Sequence, residues 1–349
     1  MPTLALAGGT SPSLGRAIVT AILEDQRLSA WNLVILSRSS HIPTWLRAID
    51  PDAKRHIIHR VDYRSTDSLA HALQGVHTVV SVTSATDGTQ ATTQINLLDS
   101  ALSAGCKRFA PSRWGLGCEG WEAVESLRWL DRGVREHCSV HKDEIEIANF
   151  NCGGFMNYIG LGIYPSPEPA RDEDELLTLM KRGGGYVSGE DEASEGLQRG
   201  GPLADGSGGL LVGLRSGIAE LPVKPDGTWP RVTLTTLRDV GRFVAASLEL
   251  PNWEEEMDMV GETLTMGDLL GHAEAVAGRG LEVQLLTPET IGQRLSQLAP
   301  DDFARFWFEM NFAYTRDRDG ETVLRPILNG LCPDVNPMGV REYMERCWR

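Results

Sequence analysis

Along the first third of the chain, short apolar runs alternate with stretches whose apolar residues recur every three to four positions. The runs are LALAG (4–8), WNLVILSR (31–38), IIHRVDY (57–63), HTVVSVTS (77–84) and KRFAPSRWG (107–115). Between them, LGRAIVTAILEDQ (14–26), SLAHALQG (68–75) and QATTQINLLDSALSAG (90–105) have helical spacing, and the last two close on Gly75 and Gly105. Short continuous apolar runs read as buried strands, and the longer periodic stretches as helices. Strands separated by helices of this length pair in parallel through right-handed crossovers. The pattern predicts an α/β fold with a Rossmann-like, doubly wound parallel sheet.

The texture changes at about residues 172–213, where DEDELLTLMKRGGGYVSGEDEASEGLQRGGPLADGSGG is rich in Gly, Glu and Asp. It reads as a solvated loop or as a lid over a ligand. Beyond it, VTLTTLRDVGRFVAASLEL (232–250) reads as a strand running into a helix. Thr265 with Asp268 three residues on resembles a capping box, and the chain from Thr287 onward reads as mostly helical.

Composition narrows the function classes. The 349 residues carry 33 basic and 48 acidic side chains, a net charge of −15. That excludes bulk binding to nucleic acid or to anionic membranes, but not a local pocket for a small anionic cofactor. The six cysteines have no C-x-x-C spacing and read as free thiols of a reducing compartment. With no signal-like N-terminus and no apolar stretch of ~20 residues, a cytoplasmic protein is expected.

Gly8, Gly9 and Gly15 lie between the first strand and the first helix. Glycines there let the backbone turn tightly and approach a pyrophosphate at the helix N-terminus. The spacing departs from G-x-G-x-x-G, and Ser11 stands where a related G-x-x-G-x-x-G pattern has its middle glycine. At the end of the second strand, a site for NAD needs an acidic residue to accept from the ribose hydroxyls. This chain has Ser37, Arg38, Ser39 and Ser40 instead. A guanidinium among hydroxyls suits a 2′-phosphate, so NADP(H) is the expected cofactor; a surface arginine is the plain alternative.

GGTSPSLGR, QINLLDSALSAGCKRFAPSRWG and GGFMNYIG together resemble the NmrA-like and isoflavone-reductase-like branch of atypical short-chain dehydrogenases, fungal members above all. LRDVGRFVAASLELP, VGETLTMGDLL and LNGLCPDVNP extend the resemblance over most of the chain. It implies an NADP(H)-binding domain over 1–158, with 230–260 returning to it. A smaller C-terminal α/β substrate domain follows over 159–229 and 261–349. By position, Gly9, Thr10, Ser13, Leu14 and Gly15 are implied at the pyrophosphate, Arg38 and Ser39 at the 2′-phosphate, and Asp62 and Tyr63 beside the adenine. Ser81, Val82 and Thr83 are implied along the cofactor. Pro111, Ser112, Phe155, Met156 and Asn157 are implied near the nicotinamide, with strand-end packing as the alternative for each.

Two positions depart from what the resemblance implies. A lysine expected a few residues before VREHC falls on Asp131, with Arg132 beside it, and Arg113 replaces the acid of the PS-E-WG pattern. Arg132 doing the lysine's electrostatic work, Asp131 acting as a true acid or base with Ser112 nearby, and cofactor binding without ordinary hydride chemistry stand side by side. His137, His141 and Lys142 follow closely as further proton sources. No His, Cys and carboxylate grouping is read as metal-ligating, so no metal is expected, and there is no nucleophile elbow. Trp114, Trp121, Trp129, Phe155 and Tyr158 are candidates to line an apolar pocket for a large, partly aromatic metabolite. The readings are a reductase acting on C=N, C=O or conjugated C=C, a cyclase that keeps the NADP(H) site, and a non-enzymatic NADP(H)-sensing regulator.

Overall fold

The apolar runs form one six-stranded sheet in a computed structural model that describes residues 1–85, 87–159, 164–166, 171–187, 198–200, 210–214, 216–299 and 302–348. Its strands are β1 (Thr3–Ala7), β2 (Asn32–Ser37), β3 (His56–Arg60), β4 (Thr78–Ser81), β5 (Arg108–Ala110) and β6 (Glu146–Ile147). They lie in the order β3-β2-β1-β4-β5-β6, all parallel. Leu4 to Ala7 have no exposed surface, as expected of a strand covered on both faces. Strand order reverses between β1 and β4, and the crevice at the carboxyl ends of such strands is where this sheet type takes ligands.

The helices of this half are α1 (Leu14–Glu24), α2 (Thr44–Ile49), α3 (Thr66–Ala72), α4 (Gln90–Ser103), α5 (Cys118–Ala123), α6 (Glu125–Leu130) and α7 (Val134–His141). The expected doubly wound fold is what forms. Short helices such as α2, with its single apolar face, left too weak a period to read.

A second set of elements follows: β7 (Gly154–Phe155), β8 (Tyr164–Ser166), α8 (Glu173–Arg182), β9 (Gln198–Gly200), β10 (Val212–Gly213), β11 (Ile218–Pro222), β12 (Arg231–Thr235), α9 (Leu237–Ser247), β13 (Glu262–Thr265), α10 (Met266–Ala277) and β14 (Glu282–Leu286). Among the described residues they give three smaller sheets: β10-β11-β14, β13-β12-β7 and β8-β9. The capping box at the start of α10 is formed in both directions between Thr265 and Asp268. Helices α11 (Pro288–Gln297), α12 (Phe303–Arg316), α13 (Ile327–Leu331) and α14 (Val340–Trp348) complete the chain.

Helix α9 returns to pack on α1, where Ala17, Ile18, Val240, Phe243 and Val244 share one core. The approach is very close: a Cβ on Gly241 would stand 2.2 Å from the Ala17 carbonyl oxygen. Only glycine fits there.

The loop or lid read over 172–213 needs correction at its start. Residues Glu173–Arg182 are a helix whose first turn holds three acids and whose last turn holds two bases, a distribution that complements the helix dipole. The Asp172 carboxylate accepts from the amides of Asp174 and Glu175. Helix α8 docks on α2 with Met180 fully buried and Arg47 paired to Glu173. The acids that read as solvation are a helix start. Residues 188–197 and 201–209 of that segment lie outside the described residues.

All six cysteines are free thiols. Among the described residues, no helix is long and apolar enough to cross a membrane.

Candidate functional site

A cavity of about 690 Å³ opens at the carboxyl ends of β1, β2, β3 and β4. The turn after β1 forms its floor. Gly8 sits there with φ +79°, and a Cβ on it would press on the backbone of Val82 and Thr83 at 3.2 Å. The Gly8 amide donates both to the Leu36 carbonyl and to the Tyr63 hydroxyl, each at 3.0 Å, and that hydroxyl donates onward to Leu36 at 2.9 Å. Tyr63 thus pins the turn to the end of β2. Burial pushes its phenol up to about 12, so it stays protonated and keeps donating.

Of the residues implied at a pyrophosphate, Thr10 and Ser13 line the cavity. Gly9, Leu14 and Gly15 stand behind it and shape the turn. A Cβ on Gly9 would meet Leu6 and Ile35, and one on Gly15 would meet Ser11 Oγ at 2.7 Å and the Gly8 carbonyl at 2.8 Å. Ser11, in the place of the middle glycine, accepts from the Gly15 amide at 2.9 Å. Ser13 makes no side-chain cap on α1, whose N-terminus faces the cavity beside Ser11 and Ser13. The positive end of the α1 dipole beside an open space fits an anion.

The far side of the cavity holds Ser37, Arg38 and Ser39 from the end of β2 and Asp62, Tyr63 and Arg64 after β3. Arg64 was not picked out from the sequence, although it follows directly on the Asp62–Tyr63 pair. Asp62 turns its carboxylate back to accept from the Arg64 amide at 2.9 Å. Ser37 Oγ is shared between Thr10 Oγ1 and the Ser39 amide, both at 3.2 Å. Two exposed guanidiniums and several hydroxyls therefore border one space.

The remaining wall comes from Val82, Thr83 and the first turns of α4. Ser81 is buried beneath it; its hydroxyl meets Thr83 Oγ1 at 3.1 Å, and its carbonyl accepts from the Trp114 indole at 2.9 Å. Gln94 carries the link onward. Its Nε2 donates to Thr83 Oγ1 at 2.7 Å, and its Oε1 accepts from the Ser112 amide at 2.9 Å, joining the ends of β4 and β5. Gln90 does the same locally, donating to the Thr83 carbonyl and accepting from the Ala85 amide. Neither glutamine was read from the sequence, where a helical Gln has no signature of its own.

The residues implied near a nicotinamide do not border this cavity. Pro111 is buried, and Ser112 is partly so. Phe155 is half-buried against Tyr158, with ring centroids 5.3 Å apart. Met156 and Asn157 have no exposed surface, and the Asn157 side-chain carbonyl accepts from the Leu237 amide at the start of α9. Asn157 fixes a helix end.

The aromatic pocket read from the sequence is not formed by those residues together. Trp114 stacks on Phe150 in the core under the main sheet, and Trp121 is buried in a separate cluster with Leu116 and Leu127. Trp129 is 56% exposed, and Tyr158 packs on the core of the second half.

Asp131 is buried as the C-cap of α6 and sits 3.1 Å from Arg113 Nε, whereas Arg132 is exposed. Arg113 stacks over Trp121 and donates to Asn149 Oδ1 at 3.2 Å. The network continues through Glu256, Asn151 and Asp258, whose two carboxyls burial raises. Burial likewise raises Asp131 to about 6, against the pull of Arg113. His137 and His141 face Asp99 and Glu144 rather than the cavity.

No family model matches the chain. Comparison with solved structures is decisive for the fold. An isoflavone reductase superposes with a TM-score of 0.68 at 16% identity, covering 98% of each chain. The binary complex of leucoanthocyanidin reductase with NADPH from Vitis vinifera superposes with a TM-score of 0.65 at 16% identity, again covering 98% of each. The chain has the NmrA-like, isoflavone-reductase-like fold. Among curated proteins, the oxidoreductase BOA1 of Botryotinia fuckeliana is 26% identical over 284 residues, 80% of this chain and 77% of its own length. The oxidoreductase aprR of Aspergillus flavus is 27% identical over 199 residues, 54% of this chain and 60% of its own. In the isoflavone-reductase-like fold, the cavity described above occupies the switch point of the sheet, between β1 and β4.

Proposed function

We propose that the chain is an NADP(H)-dependent oxidoreductase of fungal secondary metabolism, acting on C=N, C=O or conjugated C=C of a large, partly aromatic metabolite. One observation carries the reading: Arg38, Ser37 and Ser39 border the same cavity as the Gly8 turn and Ser11 and Ser13 at the N-terminus of α1. This arrangement offers two anion sites in one space, and both fit the phosphates of this cofactor. The oxidoreductases similar to the chain and the NADPH complex that shares its fold support the same assignment.

When bound, the nicotinamide supplies a hydride to an electrophilic carbon. The chain's part is to bind and orient. Arg38 and Arg64 hold the 2′-phosphate, with Ser37 and Ser39 donating beside them. Thr10, Ser13 and the start of α1 receive the pyrophosphate, while Asp62 and Tyr63 flank the adenine. Val82 and Thr83 run along the cofactor, and Gln94 transmits their position to Ser112 and Pro111 at the nicotinamide end. Ser112 and Phe155 border the reacting carbon, with Met156 and Asn157 as supports behind them. Asp131 acts through Arg113, as a positioning residue. The nucleotide half is taken as 1–158 together with 230–260, and the substrate half as 159–229 and 261–349.

The test uses NADPH deuterated at the transferring position, the protein, and a pool of imine, enone and diene metabolites, read by mass spectrometry. Deuterium in a product is the expected outcome. A new product without label and without net cofactor consumption overturns the reductase in favour of ring closure. No product, together with cofactor-dependent binding of a protein partner, overturns it in favour of a sensor.

A further inference from the structure

Helices α4 and α7 bring together, outside the cavity, three side chains that the proposed function leaves unused. Helix α7 carries His137 and His141 one turn apart, hence on one face. Their rings stand 5.0 Å apart at 69°. Helix α4, packed alongside, contributes Asp99, whose Oδ1 lies 2.6 Å from His137 Nε2. One ligating atom from each of Asp99, His137 and His141 lies within 4.8 Å of the others.

We propose that Asp99, His137 and His141 form a binding site for a divalent transition-metal ion of the zinc type. The ligand set argues the ion's class. Two imidazoles and one carboxylate suit zinc and its neighbours, whereas calcium and magnesium want mostly oxygen. The distances are those of a site ready to close. A tetrahedral ion with bonds of about 2.0–2.2 Å separates its ligand atoms by roughly 3.3–3.6 Å. The His137–Asp99 pair therefore opens by roughly 1 Å as the ion displaces their shared proton, and His141 moves in.

An outer carboxylate is already in place. Glu144 Oε1 lies 2.7 Å from His141 Nδ1, which leaves Nε2 as the ligating nitrogen and fixes the ring. All three ligands are partly exposed, so an ion reaches them from solvent, and water completes the coordination. None of them borders the cavity, so the ion is given no part in the reaction. It staples α7 to α4, the helix whose Gln90 and Gln94 brace the cavity wall. The four-residue spacing of the histidines is the signal in the sequence, whereas Asp99 is far from them along the chain and joins them only through the packing of α4 on α7.

The test is titration of chelator-treated protein with Zn²⁺ by calorimetry, and with Co²⁺ by visible absorption. One saturating equivalent is expected, with cobalt bands of a nitrogen and oxygen site and no thiolate charge-transfer band. His137→Gln, His141→Gln and Asp99→Asn should each weaken binding about tenfold or more, and Glu144→Gln about tenfold. Cys138→Ala, which removes the one thiol on α7, should leave it unchanged. A rise in Tm with Zn²⁺ that disappears in the same variants provides a second readout. No saturable binding by the wild-type protein overturns the site. So does undiminished binding by the three ligand variants, which leaves two ordinary histidine–carboxylate hydrogen bonds.

Discussion

Arg113 Nε lies 3.1 Å from Asp131 Oδ2, and both side chains are buried. These are the two positions at which the chain departs from the pattern it resembles: an arginine where an acid is implied, and an acid where a lysine is implied. They are one feature. Asp131 ends α6 and faces a guanidinium from the loop after β5.

The pair gives stability a pH dependence whose sign follows from the raised carboxyl. Asp131 holds its proton more tightly folded, at about 6, than unfolded, near 3.8. Its contribution is therefore fully present below about pH 4 and is lost as pH rises through about 6. A shift of about two units corresponds to ~3 kcal/mol. Urea unfolding of the wild type and Asp131→Asn, followed across that window, should show the wild type losing about that much relative to the variant. A constant difference would mean that Arg113 holds the carboxyl at its ordinary value.

Arg38→Ala should weaken NADPH binding by roughly 10- to 100-fold, the range of a lost charge-assisted contact, while NADH binding changes little. Arg64→Ala should do the same to a smaller degree. Calorimetry with both nucleotides decides it: equal losses for the two would remove the 2′-phosphate from this end of the cavity.

Gly8 and Gly75 offer a controlled comparison. Both have left-handed backbone, φ +79° and +75°, but a Cβ at Gly75 meets nothing within 4 Å. Each substitution by alanine carries the backbone cost of about 1–2 kcal/mol. Gly8→Ala adds the contact with Val82 and Thr83, so its urea midpoint should fall further than that of Gly75→Ala.

Tyr63→Phe leaves the ring and removes the hydroxyl that accepts from Gly8 and donates to Leu36. A loss of about 1 kcal/mol in stability is expected. NADPH affinity should fall with it, because the turn is then held to β2 only by the Gly8–Leu36 and Thr10–Ser37 bonds. Unchanged affinity by calorimetry would show that the turn needs no such brace.

The parallel sheet was legible because its strands are apolar runs buried on both faces, and the capping box at Thr265 because its partners are three residues apart. Arg38 was legible for a different reason: an acid is absent where one is diagnostic. What stayed hidden depends on distance along the chain. Gln94 reads as an ordinary helical residue until β4 and β5 bring Thr83 and Ser112 to its two ends. The acids of α8 hid a helix, since charge in a first turn and charge in a solvated loop look alike without the Asp172 cap. The aromatic pocket was not legible because residue type does not say which core a ring enters: Trp114 joins that of the main sheet and Tyr158 that of the second half.

The seating of α9 on α1 bears on how the molecule is made. Helix α1, which starts directly after the cavity-lining Ser13, has eight of its eleven residues buried, and part of that cover comes from Val240, Phe243 and Val244. A ribosome has finished all six strands of the main sheet long before it reaches Leu237. Until then one side of α1 stays wet, and a fragment ending near residue 158 would present that apolar side to its neighbours. A fragment carried on through Ser247 covers that side with α9.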